Sequence, residues 1–278
     1  MSRSLRRITI VGASIAGTRA AAALRRRGFD GALTLIGAES VPVYQRPSLS
    51  KTFLTGDQQA ADIALSQQDL DADIRLGTRT VQLDVAKRQV WLQEGDRAPY
   101  ALPYDGLLIA CGARARRLPG PPLPGVHTLR SVADADVLRQ GLRTGSPRVA
   151  VVGAGLIGQE VAATARTLGL EVTLIDPLPL PGAPVLGTGA GRVLADLHRE
   201  HRTRLCMGCG VAALEGTDRV TGVRLRDGTT VAADVVVVGI GVDPAVEWLI
   251  GSGLHLDNGV RCAGKSRCPR GARRHGRR

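Results

Sequence analysis

Two glycine-rich turns are the residues best placed to do chemistry in this chain. Gly12-Ala13-Ser14-Ile15-Ala16-Gly17 is a G-x-S-x-x-G turn, and Gly153-Ala154-Gly155-Leu156-Ile157-Gly158 is an intact G-x-G-x-x-G. Each follows a β-branched run and precedes an Ala-rich stretch with helical spacing. In that setting the first glycine makes the tight bend and the last lets helix and strand approach closely. The helix N-terminus then offers N–H groups and a positive dipole end to a pyrophosphate. Ser14 replaces the middle glycine of the first turn, a small change where backbone nears a phosphate. An acid follows each turn at the distance expected of a ribose ligand: Glu39, 22 residues after Gly17, and Asp176, 18 residues after Gly158. A carboxylate there accepts hydrogen bonds from ribose hydroxyls and repels a 2′-phosphate, which favours NAD over NADP at Asp176. One such motif is weak evidence, since a Gly-rich turn also occurs in α/β sheets that bind nothing. Two copies, each with its acid, point to two dinucleotide sites.

The elements that must position these turns repeat. Residues 6–39 and 148–176 each read as strand, turn, helix, glycine and second strand, a β-α-β unit. Arg25, Arg26 and Arg27 crowd the last turn before Gly28, and Gly169 closes the second helix. Between the units, residues 74–110 read as short strands and turns, and 114–125 as a Pro/Gly/Arg-rich crossover. Ser131–Arg143 has a helix start and helical spacing. A helix near 190–200, several strands through Val238 and a short helix near Ala245–Gly251 follow. The fold class is α/β, with two Rossmann-like dinucleotide-binding domains.

Composition agrees. Apolar residues make up 44% of 278, glycines number 35 and aromatics are 3%. The net charge is +12, but residues 261–278 hold Lys265 and seven arginines with no acid, so eight of those charges sit in the tail. A nucleic-acid-binding reading of that tail lacks any aromatic or groove-reading motif beside the charge. The body uses 27 Arg against 2 Lys, which suggests GC-rich codons, and the tail's Arg, Gly, Ala, Pro and Cys composition reads as an out-of-frame translation of such a sequence. The five cysteines (111, 206, 209, 262 and 268) form no disulfide framework and no zinc spacing, so no metal is expected, and a reducing cytoplasm suits them. The five histidines are scattered and read as structural or surface groups. The apolar run after Arg3, Arg6 and Arg7 is too short and too glycine-broken for a signal peptide, and no run is long enough to span a membrane.

Four further stretches carry a resemblance: YQRPSLSK (Tyr44–Lys51), LLIACGARARRLP (Leu107–Pro119), TLRSVADAD (Thr128–Asp136) and VVVGIGVDPAVEWL (Val236–Leu249). With the two glycine turns they resemble the FAD-dependent, NAD(P)H-using ferredoxin and rubredoxin reductases, over about residues 6–260. The resemblance implies an FAD domain in two segments with an NAD domain inserted: 1–116 for the first FAD segment, 117–235 for the NAD(P) domain, and 236–260 for the start of the returning FAD segment. It implies FAD and NAD(H) as cofactors, and electron delivery to a ferredoxin-type iron–sulfur protein. By the same resemblance Ala16, Glu39, Arg46, Lys51, Val81 and Arg130 match FAD-contacting positions. Gly112 and Gly239, in the turns of the quoted stretches, join Gly12, Ser14, Gly17, Gly153, Gly155, Ile157, Gly158 and Asp176 as cofactor-binding residues. Lys51 and Glu160 match a pair beside the flavin and nicotinamide rings and are the candidate catalytic residues. Read without the family, Lys51 is a solvated helix residue and Glu160 an ordinary helix charge.

The departures matter as much. Val41–Gly56 contains no cysteine, so there is no thiol relay, and Ser50-Lys51 lie where related thiol enzymes carry one. Cys111 replaces a threonine. After LDNGV (256–260) the family continues through a Gly-Asp motif contacting FAD and an interface domain, and neither follows here. The FAD-domain sheet is therefore expected to leave an apolar face uncovered, with weak or absent flavin binding. The alternative reading is a non-catalytic remnant that at most binds NAD(H). The oligomeric state is not legible.

Overall fold

A computed structural model describes residues 5–67, 70–263 and 268. The chain divides into two compact units: Met1–Gln45 with Ala64–Arg114 and Asp243–Arg278, and Arg46–Ile63 with Ala115–Val242.

In the first unit β1 (Arg7–Val11), α1 (Ile15–Arg26) and β2 (Ala32–Ile36) form the expected β-α-β. Arg46–Ser48 makes a 3₁₀ turn ahead of the short helix α2 (Thr52–Thr55), and both belong to the second unit. The first unit resumes with β3 (Asp73–Arg75), β4 (Thr78–Asp84), β5 (Gln89–Glu94), β6 (Tyr100–Pro103) and β7 (Gly106–Ile109). Its parallel sheet has the order β3-β2-β1-β7, and β4-β5-β6 form an antiparallel sheet. Alternate residues of the parallel strands feed two cores. Ile8, Ile10, Leu33 and Leu35 pack with Ala21 of α1, whereas Val11 and Ile36 pack with Leu83, Val90, Leu92, Trp248 and Leu249. That is why these strands read as nearly continuous apolar runs.

β8 (Ala113–Ala115) carries the chain out of the first unit. The second unit continues with β9 (Val126–Thr128), α3 (Val132–Arg143), β10 (Val149–Val152), α4 (Leu156–Thr167), β11 (Val172–Asp176), α5 (Ala183–Glu200), β12 (Arg204–Met207), β13 (Val211–Glu215), β14 (Gly222–Leu225), β15 (Thr230–Ala232) and β16 (Val235–Val238). Its parallel sheet runs β12-β11-β10-β16-β9, and β13-β14-β15 form an antiparallel sheet. β17 (Val242–Pro244) leads back, and the short helix expected near Ala245–Gly251 is a single 3₁₀ turn, Glu247–Leu249. α5 starts seven residues earlier than expected, with Pro184 in its first turn and a non-helical break at Gly187. Ser131 and Asp134 form a capping box on α3.

The compact units differ from the blocks expected from sequence in two places besides the boundary at Arg114, two residues before the expected one. Residues 236–242 stay with the second unit because Val235–Val238 is an interior strand, paired on both sides and buried throughout. Arg46–Ile63 also joins the second unit. Leu54 is fully buried among Leu138, Leu142 and Val161, and Arg139 stacks over the Phe53 ring at 4.7 Å. Arg143 Nη2 donates to the Thr55 carbonyl at 2.6 Å.

The two parallel sheets share the order third, second, first, fourth strand, but β16 is flanked by β9 while β7 has a strand on one side only among the described residues. The consequence is visible in burial. All four residues of β16 are buried, whereas all four of β7 are only half-buried. A cavity of about 710 Å³ opens along Leu107, Leu108, Ile109 and Ala110, bounded also by Cys111 and Val260. Among the described residues, the apolar face expected from sequence is therefore left partly uncovered. The basic tail, apart from residues 261–263 and 268, lies outside the described residues.

Each unit also carries a matching ion-pair clip that sequence reading did not single out. Arg7 donates its backbone N–H and guanidinium to Asp105, immediately before β7, and Arg148 does the same to Asp234, immediately before β16. Arg148 holds the Asp234 carboxyl down at about 2, against an ordinary 3.8. A carboxyl depressed in the folded state stabilises above its unfolded value and loses that stabilisation as pH falls through the folded value. The pair is largely exposed, so screening keeps its worth to about 1 kcal/mol or less. Asp234→Asn should therefore lower urea-unfolding stability by about that much at neutral pH and by clearly less near pH 2. An equal loss at both pH values would assign the effect to packing instead.

Candidate dinucleotide sites

In the first unit the glycine turn is dictated by close approach. Gly12 has φ +122°, and a Cβ there would lie 2.0 Å from the Ala110 carbonyl oxygen just beyond β7. A Cβ on Gly17 would lie 2.0 Å from the Gly12 oxygen. Only glycine permits both contacts. The Ser14 side chain makes no cap hydrogen bond, and Ala16 is exposed at the start of α1, where the first helical N–H groups have no intrahelical acceptor. Glu39 lies three residues past β2, and Tyr44 Oη donates to its Oε2 at 2.6 Å, orienting the carboxylate. Val81 is the extra residue of a β-bulge in β4, between the pairs Thr80–Leu92 and Gln82–Trp91. Such a bulge re-aims a side chain, and no local pattern marks it in sequence. Gly112 adopts φ +68°, and its carbonyl accepts from Ala245 N at 3.0 Å. Cys111 lines the cavity beside it, and burial pushes its thiol pKa up.

The second unit repeats the arrangement. Gly153 has φ +104°, and a Cβ there would lie 2.4 Å from the Gly239 oxygen just beyond β16, so Gly153 and Gly239 are brought together. A Cβ on Gly158 would lie 1.9 Å from the Gly153 oxygen. Gly155, at the N-cap of α4, is different: a Cβ there meets no atom within 4 Å. The turn thus has open space over its middle glycine, the position a pyrophosphate needs. Ile157 is exposed at the same helix start. Asp176 ends β11 and braces the turn, its Oδ2 accepting from Ala154 N at 2.6 Å and its Oδ1 from Leu178 N at 2.8 Å. Gln159, absent from the sequence-derived set, does similar work from below. It is buried, its Nε2 donates to the Ala154 carbonyl at 3.1 Å, and its Oε1 has no partner among the described residues. The second turn fits a dinucleotide pyrophosphate in all its glycines, and the first does so at Gly12 and Gly17, with Ser14 at the middle position.

The candidate pair also lies in the second unit. Lys51 Nζ is 2.7 Å from Glu160 Oε1, with side chains half and one-third exposed. Arg46 Nη1 donates to the Arg130 carbonyl at 2.7 Å. The six positions matched to FAD contacts are therefore divided: Ala16, Glu39 and Val81 belong to the first unit, and Arg46, Lys51 and Arg130 to the second. Among the described residues no group of three or more His, Cys, Asp or Glu is placed to hold a metal, and no helix is long and apolar enough to cross a membrane.

The model of the pyridine nucleotide-disulphide oxidoreductases matches residues 6–267. The chain belongs to this family. Among its relatives within this oxidoreductase family, the ferredoxin–NAD(+) reductase component of the biphenyl dioxygenase system of Paraburkholderia xenovorans (strain LB400) is 42% identical over 270 residues. Rhodocoxin reductase of Rhodococcus erythropolis is 39% identical over 260 residues. The alignments cover 94% and 91% of this chain but 65% and 60% of those proteins. Among solved structures, the ferredoxin reductase for the CYP199A2 system from Rhodopseudomonas palustris superposes with a TM-score of 0.86 at 36% identity, over 92% of this chain and 63% of that one. The covalent putidaredoxin reductase–putidaredoxin complex gives 0.84 at 33% identity, over 91% and 63%. This member of the oxidoreductase family thus spans under two thirds of the length of the relatives it matches.

Proposed function

We propose that this chain is the dinucleotide-binding portion of an FAD-dependent reductase that takes electrons from NADH and passes them to a ferredoxin-type iron–sulfur protein. The observation that carries the reading is the duplicated turn, in which Gly12 and Gly153 each seat a carbonyl from just beyond the fourth strand of their sheet. The functions of the relatives and the absence of cysteine from 41–56 support direct electron delivery without a thiol relay.

In this reading the Gly12–Gly17 turn and Glu39 hold FAD, and the Gly153–Gly158 turn and Asp176 hold NADH. The flavin, when bound, supplies the conversion of a hydride donor's electron pair into single electrons. The protein's own share is positioning: Asp176 receives ribose hydroxyls and disfavours a 2′-phosphate, so NADH is the preferred donor. Lys51 and Glu160 form a fixed ion pair at the redox end. One observation favours a second reading, a remnant that binds NAD(H) without flavin: among the described residues, the half-buried β7 and the cavity along it leave the first unit's core open on one side.

Visible absorbance of the purified full chain, before and after added FAD and then anaerobic NADH, separates the two. A retained flavin band that bleaches with NADH and recovers on adding an oxidised ferredoxin supports the reductase. A chain that retains no flavin yet binds NADH supports the remnant.

A further inference from the structure

Ser50 and Thr164 are buried polar residues beside the Lys51–Glu160 pair, and the proposed reaction assigns neither a task. Ser50 is 2% exposed. Its Oγ donates to Glu160 Oε2 at 2.5 Å, while Lys51 Nζ occupies Oε1 at 2.7 Å. Both carboxylate oxygens are thus held by two consecutive residues at the entrance to α2. Ser50 is itself anchored: Thr164, one turn beyond Glu160 on α4 and also buried, donates Oγ1 to the Ser50 carbonyl at 2.7 Å. The backbone continues the frame, with Lys51 N donating to the Ser48 carbonyl and Thr55 N to the Lys51 carbonyl. Lys51 Nζ is also 3.2 Å from the Pro47 carbonyl, so the ammonium sits between two acceptors.

We infer that Ser50 is the positioning residue of the redox-side ion pair: its hydroxyl, anchored by Thr164, sets the rotation of the Glu160 carboxylate and thereby the place of the Lys51 ammonium. This rests on the reductase reading for its functional meaning, though the positioning itself does not. The physical argument is one of order. Lys51 is half-exposed, and an exposed lysine in a lone surface pair spends much of its time elsewhere, because side-chain entropy and solvent oppose one geometry. A short hydrogen bond to an ionised acceptor from a buried, immobile donor removes the rotational freedom of the carboxylate, which is the half of that cost the lysine would otherwise share.

The test reads Lys51 directly. In the full chain with ¹⁵N-labelled lysine, the ammonium signals come from Lys51, Lys87 and Lys265 alone, and Lys51→Arg identifies the first. Hydrogens of the Lys51 ammonium should exchange with water several-fold more slowly than those of exposed Lys87. Ser50→Ala should erase the difference, as should Glu160→Gln. Ser50→Cys keeps the volume but offers only a weak S–H donor, and should also erase it, which guards against a packing defect in the alanine variant. Slow exchange that persists in Ser50→Ala or Ser50→Cys, while Glu160→Gln abolishes it, would overturn the inference. Slow exchange surviving in Glu160→Gln would overturn it as well. An NADH titration of the same samples is independent: a wild-type chain that binds no NADH but shows the protected ammonium defeats the reductase reading and leaves the positioning intact.

Discussion

Alanine at Gly153 is expected to abolish NADH binding and to cost the second unit about 3 kcal/mol or more. The added Cβ would lie 2.4 Å from the Gly239 oxygen and 2.7 Å from its carbon, both backbone atoms. They cannot retreat cheaply. Gly239 N donates to the Val152 carbonyl at 2.7 Å, and Gly153 N to the Ile175 carbonyl at 2.8 Å, so any shift breaks the ladder of three adjacent strands. The φ of +104° adds strain that no side chain relieves. Gly155→Ala is the informative partner. Its Cβ meets nothing within 4 Å, so stability should hold within about 0.5 kcal/mol. Because that open space is where the pyrophosphate would lie, NADH affinity should still fall by about tenfold or more. Urea unfolding and NADH fluorescence titration of both variants decide the matter. Equal loss of stability in both variants, or undiminished binding by Gly155→Ala, would defeat the assignment of this turn.

Asp176→Ala is expected to weaken NADH by about tenfold to a hundredfold, or about 1.4–3 kcal/mol, and to leave NADPH unchanged or improved. The carboxylate is the acid at the end of the second strand of its β-α-β, where ribose hydroxyls would be received and a 2′-phosphate repelled. It also braces the turn through Ala154 N and Leu178 N. A variant that merely loosens the turn would lose both nucleotides alike. A variant that removes the ribose contact and the repulsion would lose only NADH. Parallel titrations with the two nucleotides therefore separate the roles, and unchanged NADH affinity would remove Asp176 from the site.

Much of this was legible because it is local. A β-branched run, a glycine turn, an alanine-rich stretch and a terminal acid occur twice, each within one short continuous segment, and backbone sterics convert them directly into β1-α1-β2 and β10-α4-β11. The capping box at Ser131 and Asp134 is read the same way. The requirement for glycine at positions 12 and 153 was legible too, but its cause was not. The obstructing atoms are carbonyls of Ala110 and Gly239, some ninety residues away along the chain.

Only the tertiary structure decided the rest. It gave Arg46–Ile63 to the second unit, because Phe53 and Leu54 are two adjacent apolar residues whose destination depends on the surface of α3 and α4, not on any period of their own. It chose Val81 as the bulge residue, buried Gln159 beneath the second turn, and paired Arg7 with Asp105 and Arg148 with Asp234. It joined Ser50, Lys51, Glu160 and Thr164, where the sequence marked only Lys51 and Glu160, and those by resemblance. Sequence periodicity reports which face of a strand or helix avoids water, since that is settled by neighbours two to four positions away. Which distant side chain meets that face depends on complementary shape and hydrogen bonding across a hundred residues of chain, and no local pattern encodes it.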